Sequence, residues 1–124
     1  MKAMNVGLLG IGTVGGGTFA VLKRNAEEIT RRAGRPIQVS VVADRNLEHA
    51  RQVTGGSCRV VDDAFAVVAD PEVDIVVELI GGYTVARELV LKALELNPNS
   101  SAIQDSMAWV EYRLGNLSKA RAIL

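Results

Sequence analysis

Six consecutive residues near the N-terminus have the types and the spacing to hold a pyrophosphate, in the pattern G-x-G-x-x-G: Gly10, Ile11, Gly12, Thr13, Val14 and Gly15. The first glycine permits a tight turn, the second lets the backbone approach phosphate oxygens, and the third allows close packing of a helix on a strand. A helix that begins here offers free N–H groups and the positive end of its dipole. The alternative is a purely structural glycine turn, but a strand before the loop and a helix after it favour a dinucleotide site.

Two charged residues, Asp44 and Arg45, follow the second predicted strand, where such folds contact the adenosine ribose. An acidic side chain there accepts hydrogen bonds from a free 2′-hydroxyl, as in NAD, whereas an arginine pairs with the 2′-phosphate of NADP. This sequence supplies both, so it predicts NADP or NAD as cofactor and leaves the choice open. A solvated turn without a binding role is the alternative.

The fourth predicted strand ends in Glu78-Leu79-Ile80-Gly81-Gly82, beside the first strand. Gly81 and Gly82 would let a bound nucleotide come close at this point. Glu78 has no carboxylate or histidine partner nearby in the pattern, so we expect it to have a structural or hydrogen-bonding role. The sequence predicts neither a catalytic residue nor a metal site.

Four short runs that are rich in β-branched residues must position these groups: 4–9, 37–42, 57–61 and 74–79. Between them we predict a helix from Thr13 to Ala33, a helix capped by Asn46 that runs to Thr54, and one capped by Asp62 or Asp63. Strands that alternate with helices require right-handed crossovers and a parallel sheet. The predicted fold class is therefore α/β, half of a Rossmann domain with a four-stranded parallel sheet in the order 3-2-1-4.

The sequence also predicts which side of the first helix is buried. Apolar residues recur there at helical spacing, at Val14, Val21, Leu22 and Ile29. Farther along the chain, apolar residues over 102–114 and 117–124, separated by Gly115-Asn116, predict a helical hairpin at the C-terminal end.

Composition excludes several classes of partner. The chain has 124 residues, with 14 acidic and 14 basic side chains, so it lacks the electrostatic footprint of a protein that binds nucleic acid or an anionic membrane. No apolar run has the length of a membrane span, and the single cysteine, Cys58, cannot form an internal disulfide. We expect a soluble, cytoplasmic protein with His49 on the surface and Cys58 in or beside a strand.

Three segments resemble the start of bacterial homoserine dehydrogenase over about residues 1–95: VGLLGIGTVGGGT, the turn around Asp44-Arg45, and DIVVELIGGYTVARELVLKALE. The resemblance implies reduction of aspartate semialdehyde to homoserine with NADPH or NADH. It implies that residues 10–15 hold the pyrophosphate, that Arg45 meets the 2′-phosphate, and that the turn from Leu79 through Gly81 to Gly82 lies along the cofactor.

After Glu95 the family's lysine-bearing active-site segment has no counterpart, and residues 93–124 resemble a tetratricopeptide repeat instead. Ala108, Gly115 and Ala120 fall at the small, turn-glycine and small positions of such a repeat. The predicted domains are therefore a Rossmann-like NAD(P)-binding region at 1–95 and a helical hairpin at 96–124. The predicted function is an NAD(P)-binding module without the catalytic and substrate region. The alternative is an interaction or chimeric module whose hairpin binds a protein partner or a second copy.

Overall fold

The structure is a computed structural model that describes residues 2–124. The chain forms two compact units, the first ending at Ile80 and the second spanning Gly81–Leu124. The predicted boundary between residues 95 and 96 separates a segment that resembles one sequence family from a segment that resembles another. It is a different boundary from the one at Ile80, and it stays a prediction.

The first unit contains a four-stranded parallel sheet in the order β3-β2-β1-β4, which confirms the predicted topology. The strands are β1 (Met4–Leu9), β2 (Ile37–Ala43), β3 (Arg59–Val61) and β4 (Ile75–Glu78). β1 is central and apolar, and Leu8 and Leu9 at its carboxyl end are fully buried. The register pairs Leu9 with Ala43 on one side and with Glu78 on the other, so three strands end at the same edge.

Four helices connect the strands: α1 (Thr13–Arg24), α2 (Ala26–Ala33), α3 (Leu47–Thr54) and α4 (Ala64–Ala69). The predicted single helix from Thr13 to Ala33 is wrong in one respect, because it is interrupted at Asn25, whose φ is −104° and ψ is 20°. Asparagine favours such interruptions because it has a low helix propensity. The side chains of Asn46 and Asp63 cap α3 and α4, as predicted.

The predicted buried side of the first helix is wrong at Val14 and Val21, whereas Leu22 and Ile29 are half-buried. Val14 and Val21 are 64% and 44% exposed, whereas Gly15 and Phe19 are buried. Gly15 has no Cβ, so α1 approaches the end of β1 most closely along the side that carries Gly15 and, one turn later, Phe19. This close approach turns Phe19 into the core and leaves the two valines in solvent. The core cluster consists of Leu8, Ile11, Phe19, Val42 and Ala50.

The second unit consists of three helices: α5 (Tyr83–Leu96), α6 (Ser101–Arg113) and α7 (Leu117–Ile123). The predicted hairpin is confirmed in α6 and α7, with Gly115 in the left-handed region at φ 84° between them. Ser100 Oγ accepts a hydrogen bond from Ile103 N at 3.4 Å at the start of α6. Among residues 2–124, no helix is long and apolar enough to cross a membrane.

A buried carboxylate links the three helices of the second unit. Glu111 on α6 is 2% exposed. Its Oε1 accepts a hydrogen bond from Arg87 Nε on α5 at 2.6 Å, and its Oε2 accepts one from Asn116 Nδ2 before α7 at 2.6 Å. The Asn116 and Arg87 hydrogen bonds hold the pKa of Glu111 below its usual value. The charged form of Glu111 therefore stabilises the folded unit.

We expect the stability of the second unit to fall in acid in a way that depends on Glu111. Because the pKa is lower in the folded than in the unfolded state, this contribution is present above the unfolded value of about 4.3 and is lost as pH falls through the folded pKa. Glu111→Gln should therefore lower the stability at pH 7 and bring the variant closer to the wild type in acid. Urea unfolding followed by circular dichroism measures this. Glu88→Gln, at an exposed position on α5, is the control and should show no such convergence.

Candidate functional site

The glycine loop lies at the edge where β1, β2 and β4 end. Gly10 N donates a hydrogen bond to Ala43 O at 2.8 Å, and Leu79 N donates one to Leu9 O at 2.8 Å. The loop that follows β1 is thus held on both sides by the neighbouring strands. β2 and β4 lie on opposite sides of β1, so the strand order reverses at this edge. Open α/β sheets bind ligands at such an edge.

The three glycines of the motif differ in what surrounds them. Gly10 has a φ of 90°, and a Cβ there would lie 3.0 Å from Ile80 N. A Cβ on Gly15 would lie only 1.9 Å from Gly10 O, so the missing side chain sets the contact between the loop and α1. A Cβ on Gly12 would meet no atom of residues 2–124 within 4 Å. Gly10 and Gly15 are therefore required by the protein itself, whereas Gly12 borders open space.

Gly12 is also the N-cap of α1, and no side chain among the described residues caps this helix end. Gly16 N bonds to Gly12 O at 2.7 Å, so the first intrahelical hydrogen bond is formed. The N–H groups of the first turn, before Gly16, have no intrahelical acceptor. The helix dipole adds positive potential at the same end. Thr13 and Val14 are exposed in this turn, and the turn has no acidic residue. This helix end has the donors and the open space that a pyrophosphate requires.

Asp44 lies at the end of β2 and has a role that the sequence did not indicate. Its Oδ2 accepts a hydrogen bond from Ile11 N at 2.9 Å, and its Oδ1 accepts one from Asn46 N at 2.8 Å. Ile11 is fully buried in the core, so Asp44 anchors the loop through the backbone. Part of this signal was available from the sequence, because the residues after Leu9 and Ala43 become neighbours when β1 and β2 are parallel and end at the same edge, as they do here.

Arg45 differs from Asp44 because its side chain is exposed and has no ion-pair partner within the described residues. Leu79 is partly buried against the core, and Glu78 Oε1 accepts a hydrogen bond from Ile80 N at 2.6 Å. Gly81 has a φ of 89° and is the first residue of the second unit. The first unit thus brings the loop, Asp44, Arg45 and Leu79 to the strand ends.

Other reactive side chains have ordinary structural positions. Burial raises the pKa of the Cys58 thiol, and Cys58 packs against the core cluster, so the thiolate is disfavoured. His49 is exposed on α3, and its backbone N–H donates to the Asn46 cap at 3.0 Å. Across residues 2–124, no group of three or more His, Cys, Asp or Glu side chains could hold a metal ion.

The parallel sheet, the glycine loop at its carboxyl edge and the uncapped start of α1 together define a Rossmann-type dinucleotide-binding unit. Residues 10–111 match the family model of the homoserine dehydrogenase NAD-binding domain. This chain therefore belongs to the homoserine dehydrogenase NAD-binding domain family.

Similar proteins agree with this assignment. Homoserine dehydrogenase of Methylobacillus glycogenes is 78% identical over 95 residues, which are 77% of this chain and 23% of that protein. The Pseudomonas aeruginosa enzyme is 57% identical over 95 residues, or 77% of this chain and 21% of the relative. A crystal structure of a homoserine dehydrogenase from Thiobacillus denitrificans superposes with a TM-score of 0.73 and 47% identity, covering 99% of this chain and 28% of that one. The chain thus spans about a quarter of the length of these relatives.

Proposed function

We propose that residues 10–15 of this chain bind the pyrophosphate of a nicotinamide dinucleotide, with Gly12 in direct contact. The observation that carries the proposal is the open space at Gly12 beside the uncapped start of α1. The open space admits phosphate oxygens, and the free N–H groups of the helix supply charge-assisted hydrogen bonds. Calorimetric titration of the purified chain with NADP and with NAD tests this, and saturable heat with at least one of them is the expected result.

We further propose that Arg45 gives the site a preference for NADP. Both carboxylate oxygens of Asp44 already accept backbone hydrogen bonds, so this side chain is oriented toward the loop and Asn46. The guanidinium of Arg45 is exposed at the same strand end and can pair with a phosphate on the 2′-oxygen. In this proposal Asp44 holds the loop through hydrogen bonds, and Arg45 pairs with the 2′-phosphate of the ribose. NAD, which lacks this phosphate, binds with lower affinity than NADP.

Replacing Arg45 by alanine should weaken NADP binding by about 10-fold or more, because a charge-assisted hydrogen bond contributes about 1.5–3 kcal/mol. Binding of NAD, which has no 2′-phosphate, should change little. Titration of wild type and variant with both dinucleotides gives the ratio of the two affinities. Arg24→Ala is the matched control, since Arg24 is an exposed arginine at the opposite end of α1. Equal losses for NADP and NAD would contradict the assigned role.

The proposed role stops at cofactor binding. Oxidation of homoserine to aspartate semialdehyde, in which the dinucleotide would accept the hydride, also needs an oriented substrate and a group that accepts the hydroxyl proton. We infer that these come from elsewhere in the complete enzyme, since the chain spans 23% of the Methylobacillus relative. The isolated chain should bind the dinucleotide without turning over homoserine, and steady production of NADPH from homoserine and NADP would contradict this.

A second candidate role concerns the C-terminal hairpin. The 95-residue extent of the alignments with two relatives supports a separate hairpin segment after residue 95, although the family model extends to residue 111. An interaction role for this tetratricopeptide-like hairpin is favoured by the exposed apolar side chains of α6 and α7, Trp109 and Leu117 among them.

A chimeric origin and a cytoplasmic location stay predictions from the sequence.

A further inference from the structure

An open apolar groove runs along one face of the hairpin formed by α6 and α7. Its volume is about 520 Å³, in the range of pockets that take a side chain or a small ligand. Each helix contributes residues at positions i, i+4 and i+7, and a small residue lies at the floor on each side. The lining residues are Asp105, Ala108, Trp109 and Tyr112 on α6, and Leu117, Ala120, Arg121 and Leu124 at α7.

Large apolar side chains of this face are exposed to solvent. Trp109 and Tyr112 are 60% and 53% exposed, and their rings stack with centroids 5.6 Å apart. Leu117 and Leu124 are also exposed, on the opposite wall. Exposed aromatic side chains that cluster around a groove mark interaction surfaces, and tryptophan and tyrosine dominate the binding energy of many interfaces.

The charges of the groove identify what fits it. Asp105 on α6 and Arg121 on α7 are its two charged residues, and neither has an ion-pair partner within residues 2–124. They have opposite sign and lie toward the same end of the hairpin, away from the turn at Gly115. The negative charge lies on one side of the groove and the positive charge on the other. A two-fold rotation therefore places the negative side of one copy opposite the positive side of the other.

We propose, on the basis of the interaction role proposed above for the hairpin, that this groove binds the same groove of a second copy of the chain, forming an antiparallel four-helix interface. A two-fold axis parallel to the hairpin places α6 of one copy over α7 of the other. Counted from the turn, Asp105 and Arg121 of the other copy then differ in height along the helix axis by about one helical turn, about 6 Å, an offset that the long Arg121 side chain can span. The symmetry forms this ion pair twice and covers Trp109 of both copies.

The test is the concentration dependence of the mass of the 124-residue chain. Sedimentation equilibrium from about 1 to about 500 μM, which brackets a micromolar Kd, should show a monomer–dimer equilibrium. Arg121→Asp and Asp105→Arg should each raise the Kd by about 10-fold or more, since each places like charges opposite each other twice. The double variant Asp105→Arg/Arg121→Asp restores opposite charges and should return the Kd to near the wild-type value.

Two further measurements keep the result specific. Trp109 is the only tryptophan, so its emission should shift to shorter wavelength as the wild-type chain dimerises. Lys119→Asp makes the same change of charge on α7 outside the groove and should leave the Kd unchanged. Circular dichroism shows whether each variant keeps its helices.

A monomer at every concentration would overturn the proposal. A dimer would also overturn it if the single charge reversals leave the Kd unchanged, or if the double variant does not restore the wild-type Kd. Neither result bears on the dinucleotide site, which is tested separately by calorimetry.

Discussion

Substitution of Gly12 by aspartate is expected to abolish measurable binding of both NADP and NAD while the protein stays folded. A side chain at this position enters the open space next to the start of α1, and the carboxylate puts negative charge where the phosphates would lie. Loss of charge-assisted hydrogen bonds together with the new repulsion should weaken binding by about 100-fold or more. Calorimetric titration measures the affinity directly.

The same substitution should not damage the fold, which makes the experiment informative. Gly12 has an extended backbone, with φ −68° and ψ −151°, and aspartate is a favoured residue at a helix N-cap. Thermal unfolding of Gly12→Asp should therefore occur at the wild-type temperature or above it. Gly12→Ala is the milder version, and Gly17→Ala is its control because a Cβ there also meets no atom within 4 Å. Wild-type affinity in Gly12→Asp would place the cofactor elsewhere.

Gly15→Ala should have the opposite effect and destabilise the first unit strongly. The new Cβ would lie 1.9 Å from Gly10 O and 2.8 Å from Gly10 C. These are backbone atoms, which cannot rotate away as a side chain can, so α1 must move from the loop or the loop must deform. We expect a loss of about 3 kcal/mol or more in the free energy of unfolding, at the upper end for overpacking.

Urea unfolding followed by circular dichroism measures this loss, and the neighbouring glycine provides the control. A Cβ on Gly16 would lie 3.6 Å from Ile11 O, an ordinary contact. Gly16→Ala should therefore be neutral or stabilising by up to about 1 kcal/mol, because alanine has the higher helix propensity. Equal unfolding midpoints for Gly15→Ala and Gly16→Ala would show that the close contact between loop and helix does not limit stability.

Local signals were sufficient for the elements and their order. β-branched runs marked the strands, and caps such as Asn46 and Asp63 marked the starts of α3 and α4. The alternation of strands with helices then left few topologies, because crossovers in parallel sheets are right-handed. The break at Asn25 was missed because one residue of low propensity does not by itself show whether a helix will continue.

The glycine loop after β1 and the C-terminal hairpin could be predicted from patterns within a few residues. The strand order 3-2-1-4 could be predicted from the alternation of strands with helices around a G-x-G-x-x-G loop, which is the arrangement of half a Rossmann domain. The tertiary structure was needed to show which side of α1 is buried, because that depends on how closely Gly15 lets the helix approach Gly10. It also decided that Asp44 holds the backbone of Ile11, 33 residues away in sequence. Such contacts depend on distances between separate elements, and residue types and spacing along one element do not specify those distances.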